Sequence, residues 1–315
     1  MTAADEVPLA VAVVSFETRE LLERCLRSVR AARPAELVVV DNGSTDGSIE
    51  MVREGFPEAR LLVNEVNRGY GAAANQALTQ TAAPAVLLLN SDTEIAPDAL
   101  AALGRYLAEH PAVGVVGPRL VGTDARLQRS TYPFPSAADT FLGESGLHHL
   151  ARAIPGMRER SLRTWGHDTS RRVPWVLGAA LAVRRDGWAA VGGFDEAYFM
   201  YGEEVDLSRR LAAAGFETHY APVTTVTHVG GASTCRHSVA MRREFVASLR
   251  RYLLRHESRL MAIRVLTVLR LITALRLVRD AVRANLTRDE AKRARLHALM
   301  AGSRSVLTER RLWWP

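Results

Sequence analysis

Residues 193–234 read GFDEAYFMYGEEVDLSRRLAAAGFETHYAPVTTVTHVGGAST and contain the most informative pattern of the chain. Three carboxylates lie within four positions at a predicted helix start: Glu203, Glu204 and Asp206. His228 follows a β-rich run and precedes a Gly-Gly turn, and Asp92 lies far upstream, just past the buried strand AVLLLN. Carboxylates at strand ends, a carboxylate cluster and a late histidine are what metal-assisted transfer from a diphosphate leaving group requires. We therefore expect an enzyme.

The charge of the chain is unevenly distributed. Its 315 residues, 48% of them hydrophobic, are enough for a large buried core and for one to three domains. The net charge is +7, yet residues 238–315 contain 18 Lys+Arg and 6 Asp+Glu, whereas residues 1–237 contain 23 and 28. A mildly acidic body is thus followed by a strongly basic tail. Such a tail meets anionic lipid, nucleic acid or no anionic partner at all.

The cysteines and the N-terminus indicate a reducing compartment. Two cysteines, Cys25 and Cys235, cannot form a disulfide framework, and their spacing is not that of a metal site. Cys25 falls on the apolar face of a predicted helix and is expected in the core. The N-terminus, MTAADEVPLA, is acidic and lacks the layout of a signal peptide. We therefore expect a protein on the cytoplasmic side of the membrane.

Short apolar runs alternate with helical patterns over the first hundred residues. Strands are predicted at 8–16, 36–40, 60–63 and 85–89, with helices beginning near Thr18, Asp46, Gly71 and Pro97. Such β-α repetition predicts an α/β fold with a mostly parallel central sheet flanked by helices. Regular patterns weaken over 118–172. They return as a β-like run at 175–183, helices at 185–191 and 204–214, and one long Arg- and Leu-rich helix from Ser238 to about Arg283.

Asp41 ends the strand ELVVV and opens the turn DNGSTDGS. Ligands of open α/β sheets bind beyond the carboxyl ends of the strands, so an acid there is well placed for a base or a ribose. The alternative is an Asx-turn with a helix cap. The turn after the first strand, SFETRE, has no glycine, which argues against a dinucleotide site.

Two further loops also have both a ligand-binding and a structural interpretation. In NRGYGAAANQAL, small residues allow close approach of a ligand and Arg68 is a candidate for a phosphate; the alternative is tight packing of a helix start. In LLLNSDTEI, Asn90, Asp92 and Glu94 supply hard oxygen ligands that suit Mg²⁺ or Mn²⁺, unless they form a solvated loop.

The acidic helix start and the histidine also have two interpretations. Glu203 or Glu204 is expected to face the crevice, where crowding of carboxylates favours a general base. A solvated acidic helix start is the alternative. His228 is a candidate ligand of a metal or phosphate, or else a packed or exposed side chain.

Taken in order, these segments resemble glycosyltransferase family 2, whose members have the GT-A nucleotide-diphospho-sugar transferase fold. The matching segments are VVSFET, VVVDNGSTDGS, NRGYGAAANQAL, LLLNSDTEI, GAALAVRRDGWAAVGGFDEAYFMYGEEVDLSRRLAAAG and THVGGAST. They cover most of residues 9–235 in the family's order and spacing. Within the family the chain is most similar to the rhamnosyltransferase-like branch of cell-wall and O-antigen assembly.

The resemblance implies a role for each matching residue. The nucleotide-sugar site would comprise Ser15, Glu17, Asp41, Asn42, Arg68, Gly69, Asn90 and Ser91, with Asp41 on the pyrimidine. Asp92 and His228 would hold Mg²⁺ or Mn²⁺. Glu204 would be the catalytic base, with Glu203 as the alternative. The acceptor would be bordered by Trp175, Gly193 and Asp195.

This sequence departs from the family pattern at two positions. Asn90 replaces the first acid of a strict DxD motif, which places the metal on Asp92. Glu204 stands where many relatives have Asp, one methylene shorter. The resemblance implies inverting transfer, most simply of L-rhamnose from dTDP-rhamnose to a glycan or polyprenyl-linked acceptor. A UDP-hexose or galactofuranose-type transferase and a non-catalytic sugar-nucleotide-binding protein remain alternatives.

The domain organisation expected from these assignments has three parts. Residues 1–117 would bind the nucleotide sugar and 118–237 the acceptor, together forming the GT-A domain. Residues 238–315 would be a basic helical extension. It has no charge-free run long enough for a transmembrane helix and is expected at an anionic membrane surface, or else to pack or dimerise. Nucleic acid is not an expected partner, because the tail lacks interleaved aromatic residues.

Overall fold

A computed structural model describes residues 6–145, 162, 165–230 and 238–314. These residues divide into two compact units. The first comprises 6–133, 165–199 and 203–230, and the second comprises 134–145, 162, 200–202 and 238–314. The segment GAST of the THVGGAST motif and the predicted domain boundary at residue 237 lie outside the described residues, and that boundary stays a prediction.

The first unit is an α/β structure. Its strands are β1 (Leu9–Ser15), β2 (Leu37–Asp41), β3 (Arg60–Val63), β4 (Ala85–Asn90), β5 (Thr93–Ile95), β6 (Val113–Val121), β7 (Leu127–Gln128), β8 (Thr131–Tyr132), β9 (Arg171–Arg172), β10 (Trp175–Val176), β11 (Ala180–Arg184) and β12 (Glu217–His228). Its helices are α1 (Arg19–Ala32), α2 (Ser48–Gly55), α3 (Tyr70–Thr79), α4 (Ala99–Glu109), α6 (Arg185–Ala190) and α7 (Glu203–Ala213). The second unit contains α5 (Ala137–Ser145), α8 (Ser238–His256), α9 (Arg259–Leu286), α10 (Glu290–Thr308) and a 3₁₀ turn (Arg310–Leu312).

The central sheet has the strand order β3-β2-β1-β4-β11-β6-β12-β5, with β7 beside β6 and β9 beside β12. Strands β3, β2, β1 and β4 are parallel, and β12 is parallel to β6. Strand β11 runs antiparallel to both β4 and β6. The sequence therefore predicted the parallel half correctly, and the second half adds antiparallel strands.

The sheet is buried on both faces, which explains why β1, β2 and β4 are continuous apolar runs. On one face, Val11, Val39 and Leu87 join the apolar side of α1 and α4 in one buried cluster. The intervening residues Ala12 and Val38 are equally buried, and α3 packs on β1 and β2. The burial fixes where each strand ends, and hence where the loops carrying the polar residues begin.

The run at 175–183 is two strands rather than one. Strand β10 pairs with β8 in a separate two-stranded sheet, and the Leu177 N–H donates to the Ser130 carbonyl. Strand β11 then enters the central sheet. The apolar pattern continues across the break because both strands are buried, so periodicity could not locate the change of sheet.

The second unit is helical, and its long predicted helix is interrupted. Helix α8 ends at His256, and Ser258 begins α9 by accepting a hydrogen bond from the Met261 N–H. Helices α9 and α10 share a small core of Ala284, Leu296 and Met300. None of the helices in the described part of the chain is long and apolar enough to cross a membrane.

Candidate active site

The parallel strands bring three of the predicted site residues to one edge of the sheet. Ser15 ends β1 in register with Asp41, which ends β2, and Asn90 ends β4 in register with Val14. All three strands are buried up to these positions. The polar residues therefore appear where the chain first leaves the core, at the edge where ligands of such sheets bind.

Asp41 holds its own turn with one oxygen. Its Oδ1 accepts from the Gly43 N–H at 3.1 Å and the Ser44 N–H at 2.7 Å. Its Oδ2 has no hydrogen-bond partner among the described residues, although the side chain is buried. Burial raises the pKa of Asp41, and the hydrogen bonds from Ser44 and Gly43 only partly oppose this. The Asx-turn is therefore present, and the second oxygen is a buried acceptor suited to an N–H donor such as that of a pyrimidine.

Glu17 joins the first loop to the second. It has a left-handed φ of 52°, its N–H donates to Ser44 Oγ at 2.9 Å, and its Oε1 accepts from the Thr45 N–H at 2.8 Å. Ser91 is tied to the first loop through Thr18, whose Oγ1 lies 2.7 Å from Ser91 Oγ. Ser15, Glu17, Asp41 and Ser91 thus belong to one hydrogen-bonded group of loops.

Gly69 and Asn42 are neighbours. The Asn42 Nδ2 donates to the Gly69 carbonyl at 3.3 Å. Gly69 has a φ of +86°, and a Cβ on it would lie 2.4 Å from the Phe199 carbonyl oxygen, so only glycine fits. Arg68 lies beside the loop of the predicted acceptor residues, with its Nη2 3.5 Å from Glu196 Oε2. Both of these side chains are about half exposed, which leaves the guanidinium accessible to a phosphate.

Asp92 and His228 form a pair. Their side chains are largely buried, at 11% and 9% exposed, and His228 Nε2 lies 3.4 Å from Asp92 Oδ1. The other ring nitrogen, Nδ1, lies 2.7 Å from Gln128 Oε1. An amide oxygen only accepts, so Nδ1 donates in this contact and Nε2 faces the carboxylate of Asp92. A ring nitrogen and a carboxylate oxygen that face each other at this distance are bridged by a proton or by a cation.

The composition of this pair fits Mg²⁺ or Mn²⁺. The carboxylate oxygen suits either ion, whereas the imidazole nitrogen suits the transition metal Mn²⁺ better than Mg²⁺; the remaining ligands would come from water and phosphate. The described residues contain no group of three or more His, Cys, Asp or Glu side chains that could hold a metal. Asp92 and His228 could thus supply two ligands of such an ion, and water or phosphate oxygens would fill the other coordination positions.

Glu203 and Glu204 are buried at the first turn of α7, at 5% and 8% exposed. This burial excludes the interpretation of the three acids as a solvated helix start. Glu204 Oε1 lies 3.6 Å from where a Cβ on Gly178 would be, and the Tyr70 hydroxyl donates to the Gly178 carbonyl at 3.0 Å. Burial raises the pKa of Tyr70 well above its ordinary value, and the charges of Glu203 and Glu204 raise it further. A neutral phenol therefore lies close to both carboxylates.

Asp206 has a structural role instead. It is fully buried and its Oδ2 accepts from Arg210 Nε at 2.7 Å, one helical turn away. Arg210 also donates to the Val191 carbonyl at 2.7 Å. The third acid of the cluster is thus committed to an internal ion pair, which leaves Glu203 and Glu204 as the candidate bases.

The predicted acceptor residues lie in three settings. Trp175 stacks on Tyr132 with ring centroids 5.1 Å apart, and its Nε1 donates to the Pro133 carbonyl. Gly193 has a φ of +77°, and a Cβ there would contact Asn75 and Trp188. Asp195 Oδ1 accepts from the Ala197 N–H at 3.0 Å. No ligand contact tests their role, and it stays a prediction.

One backbone hydrogen bond connects the two sides of this region. The Asn90 N–H donates to the Ala179 carbonyl at 3.0 Å, so the loop that continues to Asp92 lies beside the segment that contains Gly178. Gly178 in turn is adjacent to Glu204. Residues separated by more than one hundred positions in the chain are thereby gathered around the end of β4.

Comparisons with known proteins identify the family of the chain. A family model described as "Glycosyltransferase like family 2" matches residues 7–252. The chain belongs to this family. It is accordingly a glycosyltransferase, as the sequence predicted.

Two relatives of this family-2 transferase are rhamnosyltransferases. It is 33% identical over 248 residues to the N-acetylglucosaminyl-diphospho-decaprenol L-rhamnosyltransferase of Mycobacterium tuberculosis, covering 72% of this chain and 78% of that protein. It is 43% identical to the rhamnosyltransferase WbbL of Escherichia coli over 56 residues, or 18% of this chain and 21% of that protein. The predicted rhamnosyltransferase-like placement is confirmed.

Solved structures confirm the GT-A fold. A mannosyltransferase from Pyrobaculum calidifontis in complex with GDP-Man and Mn²⁺ has a TM-score of 0.55 at 19% identity, covering 96% of this chain and 87% of that one. GalNAc-T7 with UDP, GalNAc and Mn²⁺ has a TM-score of 0.54 at 17% identity. That match covers 71% of this chain and 44% of the GalNAc-T7 chain.

Sequence reasoning missed three residues of this region. The sequence assigns no site role to Thr18 or Tyr70, and their hydroxyls contact the Ser91 hydroxyl and the Gly178 carbonyl. Gln128 lies in the segment where periodicity fades, exactly one hundred positions before the histidine it orients. A motif of local spacing cannot reveal such a contact, because only the pairing of β7 with β6 brings Gln128 to the end of β12.

Proposed function

We propose that this glycosyltransferase is an inverting, metal-dependent enzyme that moves L-rhamnose from dTDP-rhamnose to a polyprenyl-linked acceptor. The observation that carries the proposal is the juxtaposition of a buried acid–imidazole pair, Asp92 and His228, with the buried carboxylates of α7 near the end of one strand. The choice of sugar and acceptor is supported by the name of the M. tuberculosis relative, an N-acetylglucosaminyl-diphospho-decaprenol L-rhamnosyltransferase.

Asp41, Glu17 and Asn42 would bind the nucleoside. The buried Oδ2 of Asp41 would accept a hydrogen bond from the pyrimidine ring, and an unpaired buried acceptor gains most from such a donor. Arg68 and the Gly69 backbone would lie along the ribose and the diphosphate. Ser91 and Asn90 would complete the wall of the site at the end of β4.

Asp92 and His228 would hold Mg²⁺ or Mn²⁺ together with the diphosphate oxygens. The ion supplies neutralisation of the negative charge that develops on the leaving nucleoside diphosphate. Gln128 Oε1, which lies 2.7 Å from His228 Nδ1, would favour the tautomer that carries its proton on Nδ1 and leaves Nε2 available to hold the ion.

Glu204 would remove the proton of the acceptor hydroxyl as this oxygen attacks the anomeric carbon from the side opposite the diphosphate. Glu203 is the alternative base. Tyr70 stays protonated and adds no charge to the site. Trp175 would offer an aromatic face to the acceptor sugar, with Gly193 and Asp195 along its border.

A thermal-shift panel tests the donor and the metal together. The protein is mixed with dTDP, UDP, GDP or CMP, each with Mg²⁺, Mn²⁺ or EDTA, because a ligand that binds only the folded state raises its stability. We expect a larger shift with dTDP than with UDP, and loss of most of it in EDTA. A UDP preference would move the donor to a UDP-hexose or galactofuranose type. A nucleotide-induced thermal shift that is unchanged in EDTA would contradict the metal dependence.

Turnover separates the enzyme from a protein that only binds sugar nucleotides. The assay measures dTDP release from dTDP-rhamnose, with and without an N-acetylglucosaminyl-diphospho-polyprenyl acceptor. We expect release to depend on the acceptor. A nucleotide shift without any acceptor-dependent turnover would favour the non-catalytic alternative.

A further inference from the structure

Helix α9 (Arg259–Leu286) carries an exposed apolar stripe in the second unit. Its members recur every three or four residues and therefore lie on one face of the helix. They are Leu271 at 60% exposure, Leu275 at 69%, Val278 at 63%, Val282 at 52% and Leu286 at 78%. At 1.5 Å per residue the stripe is about 22 Å long. A continuous exposed apolar surface of this kind indicates an interaction site.

The opposite face of the same helix is also apolar, and it is buried. Its members are Ala262, Val265, Leu266, Leu269, Ile272 and Ala284. The helix therefore already uses one apolar face for the packing of the protein and exposes a second one. This explains why the sequence shows no clean amphipathic pattern, since apolar residues on opposite faces cancel in any average around the helix.

The surroundings of the stripe are basic. Arg264 lies two turns before Leu271 on the same line, and Arg283 lies three positions before Leu286 and is its neighbour on the helix surface; both are exposed. The helix contains six arginines and one acid, Asp280. That acid is buried and paired with Arg279 at 2.8 Å. The exposed surface of the helix around the stripe thus combines aliphatic side chains with arginines and has no exposed acid on the helix itself.

We propose that this stripe lies in the interface of an anionic lipid membrane. Leucine and valine side chains would enter the boundary between headgroups and acyl chains, while the arginines contact the anionic headgroups. The charge decides against a second copy of the chain, because pairing two such faces would bring arginine against arginine with no exposed acid on the helix to compensate. The proposal does not depend on the sugar, the metal or the transfer reaction.

Vesicle flotation of the full-length protein tests this directly. Vesicles of equal parts phosphatidylglycerol and phosphatidylcholine are compared with phosphatidylcholine alone, and neither contains a polyprenyl acceptor. We expect binding to the anionic vesicles that weakens with salt and little binding to the neutral ones. No binding to anionic vesicles at low salt would overturn the proposal.

Matched variants assign the binding to the stripe. The double variant Leu271→Gln/Leu275→Gln should lower vesicle affinity at least tenfold. The control Leu254→Gln/Leu299→Gln removes two exposed leucines from α8 and α10, at 43% and 51% exposure, and should leave affinity unchanged. Equal losses in both would refute the stripe. Should the first variant melt early, Val278→Gln alone replaces it, with a smaller loss expected.

Two further measurements distinguish lipid from other partners. Arg264→Gln/Arg283→Gln should reduce binding to anionic vesicles, whereas Lys292→Gln/Arg295→Gln on α10 should reduce it much less. Analytical ultracentrifugation without lipid should give the same mass for the wild type and for Leu271→Gln/Leu275→Gln. A wild-type dimer that this variant dissociates would assign the stripe to a second copy instead.

Discussion

The two sides of the candidate site differ in what holds their acids in place. On the nucleotide side, the carboxylates of Glu17, Asp41 and Asp46 accept hydrogen bonds from backbone N–H groups of neighbouring loops. On the transfer side, Asp92 Oδ1 lies 3.4 Å from the Nε2 atom of His228. The first arrangement builds the loops, and the second is the one that we propose a metal ion completes. Substitutions on the first side are therefore expected to cost stability, and those on the second side activity.

The largest expected effect is on the transfer side, at Glu204. Glu204→Gln keeps the shape of the side chain but cannot take a proton, so kcat should fall by about 10³-fold, within the range for a general base. Donor binding, measured by thermal shift with dTDP, should stay near the wild-type value. Glu203→Gln is the matched control and should retain most activity. The reverse pattern would make Glu203 the base, and two active variants would remove the base from this helix.

Gly69 is expected to show the largest effect on stability. In Gly69→Ala the new Cβ would lie 2.4 Å from the Phe199 carbonyl oxygen at a φ of +86°, so the free energy of unfolding should fall by about 3 kcal/mol. Gly192→Ala is the control, because it shares a positive φ of +73° but meets nothing within 4 Å. It should cost only about 1 kcal/mol. Urea denaturation measures both, and equal losses would show that backbone strain alone decides.

Gln128 tests whether the transfer side holds a metal ion through His228. Gln128→Leu removes the acceptor that fixes the His228 proton, and affinity for dTDP with Mn²⁺ should fall about tenfold. Affinity for dTDP in EDTA should not change. A general structural defect would instead lower the affinity for dTDP both with Mn²⁺ and in EDTA. Gln128→Glu keeps an acceptor at this position and should restore much of the Mn²⁺ dependence. An equal loss of affinity in Mn²⁺ and in EDTA would contradict a positioning role.

The smallest expected effect is at Asp46. Burial alone would raise its pKa, but hydrogen bonds from Ser48 and the Arg19 N–H outweigh it and lower the pKa below the ordinary value. The carboxylate therefore stabilises the fold at pH values above about 4, and this contribution is lost as the pH falls through the lowered pKa. Asp46→Ala should cost about 1 kcal/mol at pH 7.

The pH dependence supplies the check on Asp46. Urea denaturation of the wild type and of Asp46→Ala should give curves that converge as the pH is lowered toward 3. Asp98→Ala is the control, since Asp98 precedes α4 without a side-chain capping hydrogen bond. It should cost less at pH 7. If the free energies of unfolding of the wild type and of Asp46→Ala differ by the same amount at pH 7 and near pH 3, the stabilisation does not come from the ionised carboxylate.

The parallel half of the fold could be predicted because each strand is a separate apolar run followed by its own turn. The polar residue after each run, such as Asp41 or Asn90, then marks the ligand edge without any knowledge of packing. Strand β5 could not be predicted, since it has three residues and begins directly after the turn that contains Asp92. The change from the two-stranded sheet to the central sheet near Leu177 depends on long-range strand pairing, and so does the contact of Gln128 with His228. Local sequence patterns do not encode such pairing.

Strand β11 has a consequence for how such enzymes can recombine. It comes late in the chain but lies between β4 and β6, so the sheet alternates early and late segments of the sequence. A single genetic crossover between residues 122 and 179 would place a strand from one parent between two strands from the other, with foreign side chains along both borders. Exchange of whole halves between homologues is therefore expected to damage the core. New donor and acceptor preferences should arise by substitution in the loops that follow the strands.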